Sequence, residues 1–154
     1  MEVKASIFLT REQQLQIHDA IKEAEGETSG EIRVHVETSL TGNVLDRAAW
    51  IFKRIGMHAT DDRNGVLFYL AVKNKEFAII GDGGINAKVP ENFWDKTKVI
   101  VQKYFRQEKY AEGLIEGILM AGSQLKEHFP LKKDDTNELP DEISFDDTEQ
   151  PEKL

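Results

Sequence analysis

The chain has no cysteine among its 154 residues. That excludes disulfides, thiolate metal sites and cysteine nucleophiles, and leaves the redox compartment open. Long hydrophobic runs are also missing: no stretch approaches the roughly 20 apolar residues that a spanning helix requires. Met1-Glu2-Val3-Lys4-Ala5-Ser6 leads into no apolar segment of the kind a signal peptide carries. The expectation is a soluble, cytoplasmic protein without a membrane segment. Histidine is scarce, and His18, His35, His58 and His128 share no ligand spacing, so each is read as a surface or packing residue.

Net charge is lacking over most of the chain. The formal charge is −8, yet residues 134–154 hold nine acids and a single lysine, so residues 1–133 are neutral. A neutral domain with an acidic segment gives no footing for nucleic acid. With few apolar groups and two prolines, 134–154 reads as disordered. The expected layout is an arm over 1–9, one domain over 10–130 and an acidic disordered tail over 131–154. A hydrophobic fraction of 40% is enough for that one domain to bury a core.

What is present has clear periodicity. Thr10 with Gln13 forms a capping-box pattern for a helix that carries Leu15, His18 and Ile21 and stops at Gly26. Residues 31–37 alternate as a strand, with Ile32, Val34 and Val36 on one face; the polar other face suggests an edge position or partial exposure. Asn43 is placed to cap a helix through Ala48, Ala49, Phe52 and Ile55, ended by Gly56. The nearly unbroken apolar run 65–72 reads as a strand buried on both faces. Lys73-Asn74-Lys75-Glu76 joins it to a second strand, 76–81, as a hairpin. Pro90 suits the first turn of a helix carrying Phe93, Trp94, Val101 and Phe105, and another helix runs from Tyr110 to about Glu127. Gly113 and Gly117, four apart in that last helix, read as points of close packing. The order α-β-α-β-β-α-α predicts a mixed sheet with helices on its faces.

The hairpin brings the acidic loop Asp61-Asp62-Arg63-Asn64-Gly65 beside Gly81-Asp82-Gly83-Gly84 at one end of the sheet. Carboxylate, amide and carbonyl oxygens gathered there suit a hard cation, calcium or magnesium, better than zinc or copper. If strand 31–37 runs parallel to strand 65–72, Glu31 reaches the same end and becomes a further candidate. On the residues alone, Asp62 and Asn64 are equally well explained as turn formers before a strand. The spacing is not that of an EF-hand, since Thr60 and Ala71 would fall at the first and twelfth ligand positions. Nor is the glycine loop a dinucleotide fingerprint, because Asn86 occupies the third glycine position and the next helix is expected only near Pro90.

Thr28-Ser29-Gly30-Glu31-Ile32-Arg33-Val34, the Ala48-Ala49 helix with Phe52, Asn64-Gly65-Val66-Leu67, Gly81-Asp82-Gly83-Gly84, Tyr104-Phe105-Arg106, Lys109-Tyr110 and Gly113 together resemble the TPM domain family over about residues 8–128. That family includes thylakoid-lumen proteins tied to photosystem II repair, an acetylcholine-receptor modulator and many bacterial proteins. The resemblance implies a Rossmann-like, three-layer α/β/α sandwich with a small mixed sheet. It also implies a divalent-cation site, often calcium, among loop acids; Asp61, Asp62, Asn64 and Asp82 are the matching positions here. Some plant members are weak acid phosphatases, whereas many relatives are exported and membrane-linked. A soluble bacterial subgroup is the better match for this chain.

Two functions follow as expectations. The first is a calcium-binding interaction or regulatory module, monomeric, whose loop 56–62 orders on cation binding and meets a protein or peptide partner. The second is a weak metal-dependent phosphatase using metal-activated water, with Arg106, expected in the loop after the third helix, as a phosphate contact.

Overall fold

The computed structural model describes residues 4–131 and 138–148. A one-turn helix, α1 (Ala5–Phe8), leads into α2 (Arg11–Glu25), which opens with the expected capping box. Gln13 N–H donates to Thr10 Oγ1 at 3.1 Å, and the Gln13 side chain accepts the Thr10 N–H at 2.9 Å. Strand β1 (Glu31–Glu37) is followed by α3 (Val44–Arg54), whose first N–H groups donate to the Asn43 side chain. Strands β2 (Gly65–Ala71) and β3 (Glu76–Gly81) form the hairpin. Then come the one-turn α4 (Gly83–Asn86), α5 (Asp95–Arg106), α6 (Tyr110–His128) and a short strand, β4 (Ser144–Asp146).

The strands lie in the order β3-β2-β1-β4, with β1 parallel to β2 and to β4, and β2 antiparallel to β3. Alternation along β2 sends Val66 and Phe68 to one core and Leu67, Tyr69 and Ala71 to the other. The first core takes Ile17 and Ile21 of α2 and Leu114, Ile118 and Leu125 of α6. Burial of each such side chain contributes about 1.5–3 kcal/mol, so this layer is the main stabiliser of the fold. The second core is smaller and takes Ala48, Ile51 and Phe52 of α3 with Met57. The result is a three-layer α/β/α sandwich with a small mixed sheet. Gly117 is where α6 meets α5 and the sheet: a Cβ there would lie 2.6 Å from Val101 and 3.0 Å from Phe68.

Several expectations are corrected. Strand β1 is not an exposed edge. It is central, paired by β4 at residues 35–37, and its polar side chains Glu31, His35 and Glu37 are buried, with Glu138 and Leu139 over Glu31. Residues 138–148 are therefore not a disordered tail: Leu139 is buried, and β4 pairs with His35, Val36 and Glu37. Residues 132–137 and 149–154 of that tail lie outside the described residues, as do residues 1–3 of the arm. The helix expected from Pro90 starts at Asp95, because Phe93 and Asp95 N–H groups close tight turns on Pro90 and Asn92. Arg106 is the last residue of α5, not a loop residue. The glycine loop contains α4, capped by Asp82 and pinned by buried Ile85. Met57 and Thr60, placed in a mobile loop by the sequence, are buried. Among the described residues no helix is long and apolar enough to cross a membrane.

Candidate functional site

Strand register assembles one end of the sheet. Glu31 stands opposite Gly65 in the parallel β1–β2 pair, and its N–H donates to Asn64 O at 3.3 Å. Across the hairpin, Asp82 N–H donates to Gly65 O at 3.0 Å. The segment before β2 is folded by its own groups: Asn64 N–H donates to Thr60 Oγ1, and Arg63 takes a left-handed backbone with φ of 50°. Gly84 then presses against it, its N–H on Arg63 O at 2.9 Å. A Cβ on Gly84 would fall 2.0 Å from Asp62 O, so only glycine allows this approach.

The sequence-derived acids share this end but do not converge on one point. Both oxygens of Asp82 are engaged by Arg63, at 2.7 and 2.9 Å, and one also accepts the Gly83 N–H at 2.7 Å. Burial opposes its ionisation, but the guanidinium and that N–H hold its carboxyl below the usual aspartate range. Asp82 lines a cleft of about 600 Å³ with Lys53, His58, Arg63 and Asn86. Asp62 is half-buried and opens on a different cleft, of about 440 Å³, with Ser29, Gly84, Lys88 and His128. Asp61 is exposed, and its N–H donates to the Glu138 carboxylate at 3.2 Å. Arg106 is not at this end. It lines a cavity of about 450 Å³ beside Lys75 and Phe77, at the hairpin-turn end of the sheet.

Glu31 and Asn64 differ from these in being buried with unmet acceptors. Glu31, 4% exposed, accepts the N–H groups of Glu138 and Leu139 on Oε1, at 2.5 and 2.7 Å, while Oε2 has no partner. Burial is the main cause that pushes its carboxyl up to about 7; the two N–H groups pull it down, and the Glu138 carboxylate adds to the rise. Asn64, 1% exposed, fixes its Nδ2 on Ser29 O at 3.1 Å and leaves Oδ1 without a donor. Among the described residues, no group of three or more histidine, aspartate and glutamate side chains is placed to hold a metal ion. The fit to a cation rests instead on these two oxygens: both are acceptors, both are buried, and no donor among the described residues reaches either.

Sequence reasoning missed three features. Arg63 sits inside the acidic loop, and its alternation with the acids was the available signal for a partner to Asp82. Glu138 and Leu139 were hidden by the acidic composition of their segment, although Leu139, Ile143 and Phe145 supply short-spaced apolar anchors. Glu37, fully buried, is gripped by Arg47 and receives the Tyr69 hydroxyl; the neighbouring His35 ring shares a hydrogen bond with Ser144 Oγ through Nδ1 and is pushed down to about 4, chiefly by burial. That cluster ties β1, β2, α3 and β4 together and lies towards the other end of β1, away from the acidic loops.

A family model described as the TPM domain matches residues 3–124. Among solved structures, the chain is similar to the BA42 protein from the psychrophilic bacterium Bizionia argentinensis, at 48% identity and a TM-score of 0.86, covering 92% of this chain and 97% of that one. It also resembles the N-terminal domain of a P. gingivalis protein, at 20% identity and a TM-score of 0.66 over 80% of each chain. The N-terminal domain of a Corynebacterium glutamicum protein matches at 17% identity and 0.59, over 76% of this chain and 74% of that one. The last two are likenesses of fold alone. No protein of curated function matches the chain.

Proposed function

The chain belongs to the TPM domain family, and we propose that it works as a divalent-cation-binding interaction or regulatory module. The observation that carries this reading is the pair of buried, unpartnered acceptors, Glu31 Oε2 and Asn64 Oδ1, at the sheet end where the 60–65 loop is folded. A buried carboxylate without a compensating charge is costly, and a bound cation removes that cost. Glu31 and Asn64 are the holding residues, with Asp62 and Asp61 supplied by the adjoining loop. Asp82 joins them only if Arg63 releases it. An all-oxygen set selects calcium first and magnesium second. Bound there, the ion supplies positive charge that fixes the loop, and the chain, a cytoplasmic monomer in this reading, presents that surface to a protein or peptide. The test is an amide NMR titration of metal-free protein with Ca²⁺ and then Mg²⁺. Saturable shifts at residues 29–31 and 61–65 are expected; shifts absent from both segments refute the reading.

The 600 Å³ cleft lined by Lys53, His58 and Arg63 favours a second reading, a weak metal-dependent phosphatase, because three cationic or protonatable groups suit a phosphate ester. Turnover of p-nitrophenyl phosphate that is lost in Arg63→Gln would support it; no metal-dependent turnover above background would end it.

A further inference from the structure

The family match ends at residue 124, yet the described chain continues through a segment that runs straight across the candidate site. Residues 138–148 reach β1 at two places. At the far end, β4 pairs with His35, Val36 and Glu37, Thr38 N–H donates to Asp146 O at 3.0 Å, and Ser6 binds the Asp147 carboxylate through both its N–H and its hydroxyl. At the near end, Glu138 and Leu139 make their hydrogen bonds to candidate cation residues. Their two N–H groups hold Glu31 Oε1, and the Glu138 carboxylate accepts the Asp61 N–H.

This arrangement places a second carboxylate beside Glu31, where folding would be expected to avoid one. The Glu138 N–H lies 2.5 Å from Glu31 Oε1 and the Glu138 carboxylate accepts the Asp61 N–H, so the Glu138 charge stands beside the Glu31 carboxyl and raises it. Among the described residues no lysine or arginine pairs with Glu31, and its Oε2, nine-tenths buried or more, has no hydrogen-bond partner. Neighbouring Asn64 adds a second buried acceptor without a donor. Two apposed carboxylates with spare acceptors and no cationic side chain form an arrangement completed by a cation from outside. The anchors that hold Glu138 there are the Leu139 side chain in the second core and β4 on β1.

We propose that Glu138 is a ligand of the divalent-cation site, delivered by the C-terminal segment, so that cation binding and docking of residues 138–148 on β1 are linked. The inference rests on the cation reading above and adds to it a residue outside the family match. Linkage is reciprocal: a cation that bridges the segment to Glu31 tightens the segment, and a loosened segment weakens the cation.

Glu138→Gln separates this from a purely structural role, because the amide keeps an oxygen for the Asp61 N–H and loses only the charge. In metal-free protein the variant should melt no lower than wild type, since a like-charge contact has gone. With Ca²⁺ its affinity should fall by about tenfold or more, and the calcium-induced rise in Tm should shrink with it. Amide shifts of 138–146 in the wild type should follow the same Ca²⁺ isotherm as those of 29–31. Leu139→Ala, which keeps the N–H on Glu31 and removes only the apolar anchor, should also weaken Ca²⁺ binding by loosening the segment. The proposal is overturned if Glu138→Gln binds Ca²⁺ as wild type does, or if wild-type shifts saturate at 29–31 and 61–65 while 138–146 stay still. Wild-type protein with no saturable shift in any of these segments defeats the cation reading itself, and this proposal with it.

Discussion

Removing the Glu31 charge should change how stability depends on pH, in a direction opposite to that of an ordinary ion-paired acid. The Glu31 carboxyl titrates near 4.5 when unfolded and is pushed up to about 7 in the fold, first by burial, against the Leu139 and Glu138 N–H groups and with the Glu138 carboxylate assisting. The folded state therefore holds a proton that the unfolded state has released. Its contribution to stability is complete below pH 4.5 and is lost as pH rises through about 7. At roughly 1.36 kcal/mol per pH unit, the loss across that window approaches about 3 kcal/mol. For a urea slope of about 1–3 kcal/mol per molar, the midpoint should drop by about 1–3 M. The assay is urea unfolding of chelator-treated protein in steps from pH 5 to 9, wild type against Glu31→Gln. Between pH 5 and 7 the variant should fall about half as steeply as wild type, because one of two titrating carboxyls has gone. It should keep the fall from Glu25, which spans pH 5 to 9 because burial and Asp141 push that carboxyl up to about 9. Saturating Ca²⁺ should flatten the wild-type profile over the same lower window, because a cation replaces the proton. Identical slopes for wild type and Glu31→Gln below pH 7 would refute the reasoning.

Two further predictions concern the scaffold. Arg47→Met leaves the fully buried Glu37 carboxylate without its cation and should cost about 3–5 kcal/mol in urea unfolding, with Glu37→Gln on that background restoring at least half; no recovery would mean that Arg47 acts by packing instead. Gly117→Ala drives a methyl into Val101 and Phe68 and should cost about 1–3 kcal/mol despite its better helix propensity, whereas Gly83→Ala, with open space around it, should stay within about 0.5 kcal/mol of wild type. Equal effects on thermal unfolding would show that the α5–α6 contact relaxes freely.

The parts of the fold that were legible are those written in contiguous residues. The alternation of 31–37, the unbroken apolar run that became β2, the four-residue hairpin link and the Thr10 and Asn43 caps each need only local periodicity or a local hydrogen bond. β4 could not be read this way. Ser144-Phe145-Asp146 has little strand character and becomes a strand because β1 offers an unpaired side and the His35 ring hydrogen-bonds Ser144 Oγ. α4 was concealed by two glycines, poor helix formers that are overridden by the Asp82 cap and the burial of Ile85. The site was legible in outline, since parallel β1–β2 pairing does bring Glu31 to the Asn64 end. Its allocation of partners was not. Nothing local tells that Arg63 turns to Asp82, or that Glu138 comes back across more than a hundred residues to Glu31.

That allocation is what separates the structural acids from the functional candidate. Asp82 caps α4, closes on Arg63 and has no oxygen left over, so its charge is already used to hold the two loops together. Glu37 is likewise spent on Arg47 and Tyr69. Glu31 is buried beside Gly65 of β2, yet the described residues give it two N–H groups, a neighbouring carboxylate and no cation. A structural acid in that position would be replaced at no loss by glutamine, whose amide could satisfy the N–H groups without the desolvated charge. If Glu31→Gln stabilises the metal-free protein near neutral pH while abolishing its response to Ca²⁺, the carboxylate is there for a ligand and not for the fold. If the variant instead keeps the wild-type response to Ca²⁺, Glu31 does not hold the ion and the cation reading loses its first ligand.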